Sequence, residues 1–225
     1  MGEGVIAFDI DGVLANFTRG FTKIGNRLFG TPVGDESNQQ SWNYEEFPAL
    51  GLDKDKLKSM WDVVKSSHDF WATLDPTNVS VMHRINRIQN RVFITNRPGI
   101  NIVEQSAHFL ESWGIENPRV IVAAEKGPVA VRENVVAIVD DLPTNVIDIK
   151  KAVPTCYAAL LYLSYNKVHH DVWLEQHGGT IVLSVDAFID ECYARGLVRE
   201  APEENVDEKI RQLTSAQQRW FLAVR

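Results

Sequence analysis

The sequence places two carboxylates two residues apart where an apolar run ends. Val5–Phe8 is followed by Asp9 and Asp11, with Gly12 directly after them. Glycine permits backbone angles that other residues avoid, so we expect the chain to turn off a strand here. Acids at the carboxyl end of a strand in an open α/β sheet lie in the crevice where such sheets bind ligands. The pair is therefore expected to hold a divalent cation and still reach a substrate.

A second polar group follows the apolar run that ends at Thr95. Thr95, Asn96 and Arg97 offer a hydroxyl, backbone amides and a guanidinium, all of which bind phosphate. A polar turn between a strand and a helix also explains these residues when they are considered alone. These residues indicate a phosphate site only if the neighbouring strands also end in residues that bind phosphate or a cation.

Two further groups follow later apolar runs. Lys126 stands just ahead of a predicted helix start, where an exposed lysine is the ordinary alternative. Asp140 and Asp141 follow the run Val135–Val139. Adjacent carboxylates are electrostatically costly unless water or a cation compensates them, so this pair also indicates a cation site.

The apolar runs predict the elements that position these groups. Strands alternating with helical patterns favour an α/β fold with a Rossmann-like parallel sheet and helices on both faces. Helices are expected over Val103–Trp113, after Gly127 and over Val185–Arg195. The predicted strands are Val5–Phe8, Val92–Thr95, Arg119–Val122, Val135–Val139, Thr155–Leu163 and Ile181–Leu183.

Residues 17–90 interrupt this alternation and are predicted to form a small helical cap inserted after the first strand. Helical spacing is found from Phe17 to Phe29 and over Leu57–Val64. The insertion is rich in aromatic residues, among them Trp42 and Trp71, which either build its core or stack on a base. The core domain then comprises 1–16 and 91–200, and 201–225 is an acidic linker followed by a helix.

Bulk composition excludes several classes of protein. The net charge of −7 gives no general attraction to nucleic acid or to anionic membranes. Cys156 and Cys192 fit no metal or disulfide pattern, which favours a reducing compartment. We find neither a signal-peptide core nor an apolar stretch long enough to span a bilayer, so a cytoplasmic location without membrane contact is expected.

The order of the four polar groups is the strongest signal in the chain. An Asp-x-Asp-Gly strand, a Thr strand, a Lys before a helix and an Asp-Asp strand together resemble the four motifs of the haloacid dehalogenase-like superfamily. The resemblance implies that Asp9 is a nucleophile forming an aspartyl-phosphate and that Asp11 is the general acid and base. It also implies that Thr95, Asn96 and Lys126 hold the phosphoryl oxygens.

The same resemblance implies a Mg²⁺ site. Asp9, Asp140, Asp141 and the backbone carbonyl of Asp11 are the implied ligands, and Mg²⁺ suits a site made of oxygens. A dianionic phosphate approaches several carboxylates only where a cation and a lysine offset their charge. Because a departing halide needs no proton donor, an acid at position 11 favours phosphoryl transfer over dehalogenation.

Within the superfamily the chain is most similar to the 5′(3′)-deoxyribonucleotidases, the 5′-nucleotidases of type C. The similar segments are Phe8–Phe17, Phe70–Pro76 and Ile138–Pro143. The second motif departs from that family, because Thr-Asn-Arg-Pro replaces its usual Thr-Ser-Pro and is closer to the Thr-x-Arg of some superfamily acid phosphatases. Arg97 is therefore a candidate for recognising a different ester or a second phosphate.

These patterns predict a Mg²⁺-dependent phosphomonoesterase acting on (deoxy)nucleoside monophosphates or a similar small metabolite. Arg97, Trp42 and Trp71 are the candidate substrate contacts. A nucleic-acid 3′-phosphatase is the alternative within the same chemistry, although the acidic charge argues against a nucleic-acid partner. A phosphate-binding regulatory module without turnover is the alternative from another class. The terminal helix leaves pairing with a second copy of the chain open.

Overall fold

The computed structural model describes residues 4–30, 53–169 and 180–198. Six strands form one sheet in the order β3-β2-β1-β4-β5-β6, and every neighbouring pair is parallel. This arrangement confirms the predicted α/β fold. The strands are β1 (Val5–Phe8), β2 (Arg91–Thr95), β3 (Val120–Val122), β4 (Val135–Asp140), β5 (Tyr157–Leu161) and β6 (Thr180–Val182).

Strand β1 lies in the middle of the sheet and pairs with both β2 and β4. The chain builds outward from β1 through β2 to β3, then returns to the other side of β1 to form β4. Ligands bind at such a reversal of strand order, outside the carboxyl ends of the strands. The fold therefore opens its crevice next to the residues that follow β1, β2 and β4.

Helices cover both faces of the sheet. Successive strand residues point to opposite faces, so Ile6 and Phe8 enter one core while Ala7 enters the other. The first core also contains α3, α4 and α7, and the second contains α5 and α6. The helices are α1 (Phe17–Phe29), α2 (Lys54–Ser66), α3 (Val79–Asn86), α4 (Ile102–Ser112), α5 (Lys126–Arg132), α6 (Pro143–Ala152) and α7 (Val185–Ala194).

The insertion leaves and re-enters the core at one place. Asn16 donates its backbone N–H to the carbonyl of Asp75 at 2.8 Å, and the N–H of Thr77 bonds to the carbonyl of Leu14 at 2.8 Å. Between these crossings lie α1 and α2, which pack on each other. Helix α3 lies within the predicted range 17–90 but follows the second crossing and contacts α7, where Arg84 pairs with Asp186 at 2.6 Å.

Aromatic rings fill the space between α1, α2 and the segment that leads back to the core. The Phe17 ring stacks on Trp61 and on Trp71, at centroid distances of 5.5 and 5.4 Å. Phe21, also on α1, has no exposed surface. The predicted helical spacing from Phe17 to Phe29 thus corresponds to one continuous helix with a buried aromatic face.

The predicted acidic linker and helix of residues 201–225 lie outside the described residues. Within 4–30, 53–169 and 180–198, no helix combines the length and the apolar character that a membrane span requires. Residues 164–169, which follow β5, form a short 3₁₀ helix.

Candidate active site

The turn after β1 fixes the two acids of the first motif. Asp9 is still bound to the sheet, because its N–H donates to the carbonyl of Val139 on β4 at 3.0 Å. The chain then turns, with the N–H groups of Leu14 and Ala15 both bonded to the carbonyl of Ile10 at 2.8 Å. Gly12 adopts a φ of +79°, as its place in the sequence predicted.

Lys126 is buried, which rules out the exposed alternative. It is 1% exposed and begins α5, and its Nζ donates to both Asp9 Oδ1 and Asp140 Oδ2, the latter at 2.6 Å. The adjacent N–H of Gly127 donates to Asp148 on α6 at 2.6 Å, which anchors the start of α5. One ammonium group thus joins the carboxylates that follow two neighbouring strands.

Asp140 and Asp141 are held by groups that the sequence motifs did not identify. Asp140 accepts hydrogen bonds from the N–H of Leu142 at 2.8 Å and from the amide of Asn145 at 3.0 Å. Tyr165 donates its hydroxyl to the carboxylate of Asp141. Asn145 lies in the first turn of α6, just after the acid pair, and Tyr165 follows β5, the strand beside β4. Only these positions in the sequence could have indicated their roles.

The acids of β1 and β4 form a compact group. Carboxylate oxygens of Asp9, Asp140 and Asp141 all lie within 4.8 Å of one another, and all three residues are buried. Buried carboxylates at such separations repel one another unless protons or a cation intervene. A donor set made only of oxygens fits a hard cation such as Mg²⁺. The predicted ligand side chains are therefore brought together in a form that suits the metal.

The electrostatics of the group follow from its burial. Burial raises the pKa of Asp9 to about 7, with Lys126 opposing the rise and Asp140 and Asp11 adding to it. Burial also raises the pKa of Asp141 well above its ordinary value, and the charges of Asp9 and Asp140 reinforce this. Burial acts to lower the pKa of Lys126, but the Asp140 and Asp9 carboxylates outweigh it and raise that pKa.

The second motif divides into residues with different surroundings. Thr95 ends β2, is 1% exposed and places its hydroxyl 3.4 Å from Asp11 Oδ2. Asn96, the next residue, is exposed. Thr95 ends the strand next to β1 and Asn96 directly follows it, so both lie at the carboxyl edge of the sheet. Their predicted contact with phosphate oxygens stays a prediction.

Arg97 does not present its guanidinium to solvent, since its side chain has no exposed surface. Its Nε and Nη2 atoms donate to the two carboxylate oxygens of Asp11, each at 2.8 Å. A third donor, Nη1, bonds to Ser106 on α4 at 2.9 Å. The structure thus gives Arg97 a protein carboxylate as its partner, which leaves its predicted role in recognising substrate without support.

Trp71 is 2% exposed and lies over the guanidinium of Arg97, 4.8 Å from its Cζ atom. Its indole N–H donates to the carbonyl of Pro98 at 3.1 Å. This burial favours the alternative in which the ring belongs to the core of the insertion. Trp42, the other predicted substrate contact, lies outside the described residues.

The fold has counterparts among solved structures. A haloacid dehalogenase-like hydrolase from Burkholderia xenovorans LB400 aligns with a TM-score of 0.56 and 14% identity over 88% of this chain and all of that one. A HAD family hydrolase from Deinococcus radiodurans R1 was solved with bound phosphate and sodium. It aligns with a TM-score of 0.54 and 12% identity over 88% of this chain and 99% of its own. At these identities the likeness establishes the fold.

Sequence comparison identifies the family. No curated protein matches the chain significantly. The model of the family described as "5′ nucleotidase, deoxy (Pyrimidine), cytosolic type C protein" matches residues 3–177, which include β1 to β5 and all four motifs. The chain therefore belongs to this 5′-nucleotidase family, a group of phosphatases with the haloacid dehalogenase-like fold.

Proposed function

We propose that the protein is a Mg²⁺-dependent phosphomonoesterase that acts on (deoxy)nucleoside monophosphates or a similar small phosphate ester. The observation that carries the proposal is the sharing of one buried lysine by Asp9 and Asp140, with Asp141 close to both. A buried nucleophile beside a fixed cation and a cluster of metal-binding oxygens has what phosphoryl transfer requires.

In the first step, Asp9 attacks the phosphorus of the ester. A bond forms between a carboxylate oxygen and phosphorus, and the bond from phosphorus to the leaving oxygen breaks. Asp11 gives a proton to the leaving oxygen, so an alcohol departs. Asp11 is suited to this role because its side chain is 26% exposed, whereas that of Asp9 is 8% exposed.

In the second step, water attacks the phosphorus of the aspartyl-phosphate. Asp11 takes the proton from the water, the bond between Asp9 and phosphorus breaks, and inorganic phosphate leaves. Lys126, the hydroxyl of Thr95 and the N–H groups of Asn96 would hold the phosphoryl oxygens through both steps. Each of these groups follows a strand at the same edge of the sheet.

Asp9, Asp140, Asp141 and the backbone carbonyl of Asp11 would hold the Mg²⁺ ion. When bound, this ion supplies positive charge that offsets the carboxylates and the phosphate. The raised pKa values of Asp9 and Asp141 fit such a site, because a divalent cation favours the charged form that burial disfavours.

The family supports a nucleotide as the substrate class. We propose that the insertion, predicted to span residues 17–90, covers the crevice and selects the leaving group. The net charge of −7 gives no general attraction to nucleic acid. Both cysteines of the chain are free and buried, which fits the proposed cytoplasmic location.

The test is release of inorganic phosphate from a panel of 5′- and 3′-(deoxy)nucleoside monophosphates with Mg²⁺ present. Asp9→Asn should abolish turnover and the acid-stable phosphoenzyme formed from labelled substrate, and a chelator should abolish turnover reversibly. Asp62→Asn is the matched control, because Asp62 is an exposed acid on α2 that pairs with Lys58 across one turn of that helix.

Three results would contradict the proposal. Turnover by Asp9→Asn at the wild-type rate rejects the nucleophile, and full activity in chelator rejects the metal. Tight binding of a nucleotide by a folded protein that releases no phosphate favours the regulatory module instead. A 3′-phosphorylated oligonucleotide hydrolysed faster than every mononucleotide would reassign the substrate to nucleic-acid ends.

A further inference from the structure

Arg97 has an unusual position for an arginine in a phosphatase crevice. It follows β2 at the edge where phosphate is expected, yet its side chain is fully buried while that of its partner Asp11 is 26% exposed. The guanidinium thus lies behind the acid as seen from solvent. A substrate that enters from solvent meets Asp11 before it meets Arg97.

The arginine is fixed on several sides. Ser106 accepts a hydrogen bond from Nη1 at 2.9 Å, and the rings of Trp71 and Phe109 lie 4.8 and 5.7 Å from the Cζ atom. Aromatic faces attract a guanidinium and hold its plane. The group is therefore a rigid donor whose direction is set by α4 and by the insertion.

The contact with Asp11 is of the kind that fixes orientation as well as distance. Two parallel N–H groups reach the two carboxylate oxygens, each at 2.8 Å, which is the bidentate geometry of arginine and carboxylate. Each oxygen of a carboxylate has a second lone pair. Pairing with Arg97 therefore leaves Asp11 able to exchange a proton on its open side.

We infer that Arg97 is a positioning residue that sets the carboxylate plane of Asp11 for proton transfer and makes no contact with the substrate. This inference rests on the proposed function, since it assigns Asp11 the acid and base role. It replaces the expectation that the arginine of the second motif reads an additional phosphate or another ester.

The inference predicts a loss that depends on the leaving group. Departure of an alkoxide needs a well-placed proton donor, whereas p-nitrophenolate leaves without one. In Arg97→Met, kcat/KM should fall about 100-fold for the alkyl phosphate that the wild-type enzyme hydrolyses fastest. For p-nitrophenyl phosphate the loss should be less than about tenfold, because only protonation of the leaving group is impaired. The ratio kcat/KM reports phosphoenzyme formation, so the later hydrolysis does not obscure the comparison.

Arg91→Met is the matched control. Arg91 begins the same strand, is partly buried, and donates to the backbone carbonyls of Asn86 and Ile88 at 2.9 and 2.6 Å, at the opposite end of the sheet. Its loss should lower stability and change both esters by the same factor. If Arg97→Met does not fold, as judged by circular dichroism, Arg97→Lys replaces it, because it keeps the charge and loses the paired N–H groups.

A double-mutant comparison tests whether Arg97 acts through Asp11. With Asp11→Asn already present, replacing Arg97 should cause no further loss on the alkyl ester. Equal losses on both esters, or a further full loss in the Asp11→Asn background, overturn the inference and leave the proposed function standing. If the wild-type enzyme hydrolyses neither ester, the proposed function fails and the inference fails with it.

Discussion

Asp9 and Asp11 are identical side chains that the fold places in different surroundings. Asp9 is bonded to a buried lysine and lies among the carboxylates that follow β4. Asp11 lies beyond the strand, is bonded to Arg97 and remains partly open to solvent. The two acids are only two positions apart in the sequence, but the chain turns at Gly12, so Asp11 lies away from the sheet while Asp9 stays bound to it.

The raised pKa of Asp9 predicts how stability varies with pH. Its pKa is about 7 in the folded protein against an ordinary value of 3.8, so between these values the native state binds more protons than the unfolded chain. Stability from this group is therefore present at low pH and is lost as pH rises through that window, by at most about 1.4 kcal/mol per pH unit.

Urea unfolding of the chelator-treated protein at several pH values measures this effect. The difference in unfolding free energy between wild type and Asp9→Asn should change between pH 4 and 7, the limits that the two pKa values set. Saturating Mg²⁺ should remove that change, because the ion competes with the proton for the carboxylate. Parallel curves for the two proteins without metal would show that Asp9 does not titrate in this range.

At the scale of elements, the turn after β1 positions the acids of β4 as well as its own. Gly12 has a φ of +79°, and a Cβ atom there would collide with the carboxylate of Asp141 and the hydroxyl of Tyr165. The turn at Gly12 is therefore packed directly against the carboxylate of Asp141, the residue after β4. A change in one element is expected to move the carboxylates of the other, which are proposed to bind Mg²⁺.

Gly12→Ala tests this coupling, with Gly30→Ala as its control. Gly30 also has a positive φ, of +68°, but no atom lies within 4 Å of the position of its missing Cβ. Gly30→Ala should cost about 1 kcal/mol of stability through backbone strain alone. Gly12→Ala should in addition raise the Mg²⁺ concentration for half-maximal activity at least about tenfold, because it displaces Asp141 and its hydrogen bond. The same Mg²⁺ requirement in both variants would argue against the coupling.

The strands were predictable because each one is a short apolar run that ends in polar residues. Five of the six observed strands lie within one residue of a predicted run, and β5 lies inside its run. Helix α3 was not predicted, since only Val81, Met82 and Ile85 of this eight-residue helix are buried. Such a short pattern gives little periodicity to recognise.

The site was predictable as a set of residues and not as a set of contacts. Asp9, Lys126 and Asp140 follow strands whose carboxyl ends must meet, so their proximity could be inferred. The pairing of Arg97 with Asp11 joins residues 86 positions apart and depends on α4 and Trp71 closing around the guanidinium. Sequence spacing contains no information about that enclosure, and Arg97 was therefore interpreted as a substrate contact.

At the scale of the whole molecule, one buried amide joins the insertion to the core. Gln105 on α4 is 4% exposed and accepts from the N–H of Trp71 at 3.0 Å. Its Nε2 donates to the carbonyls of Ser67 at 3.1 Å and Ile100 at 2.8 Å. Three backbone groups, two of them in the insertion, therefore depend on this side chain.

Gln105→Met should destabilise the protein by about 3 kcal/mol, because it removes the side-chain partner of the buried N–H of Trp71 and of two partly buried carbonyls. The exposed Gln89→Met is the control and should change stability by less than about 0.5 kcal/mol. Equilibrium urea unfolding measures both. Equal stability of the two variants would show that water replaces the amide at this contact.

The paired crossings at Asn16 with Asp75 and at Leu14 with Thr77 have a consequence for how such proteins diversify. The segment between Asn16 and Asp75, which makes up most of the predicted insertion, therefore begins and ends at the same point of the core and forms a closed loop on it. The entropy of closing such a loop rises only slowly with its length. Insertions of different size and sequence can therefore be exchanged at this point while the spacing of Asp9, Lys126 and Asp140 is kept. If the insertion selects the substrate as proposed, that selection can evolve separately from the core.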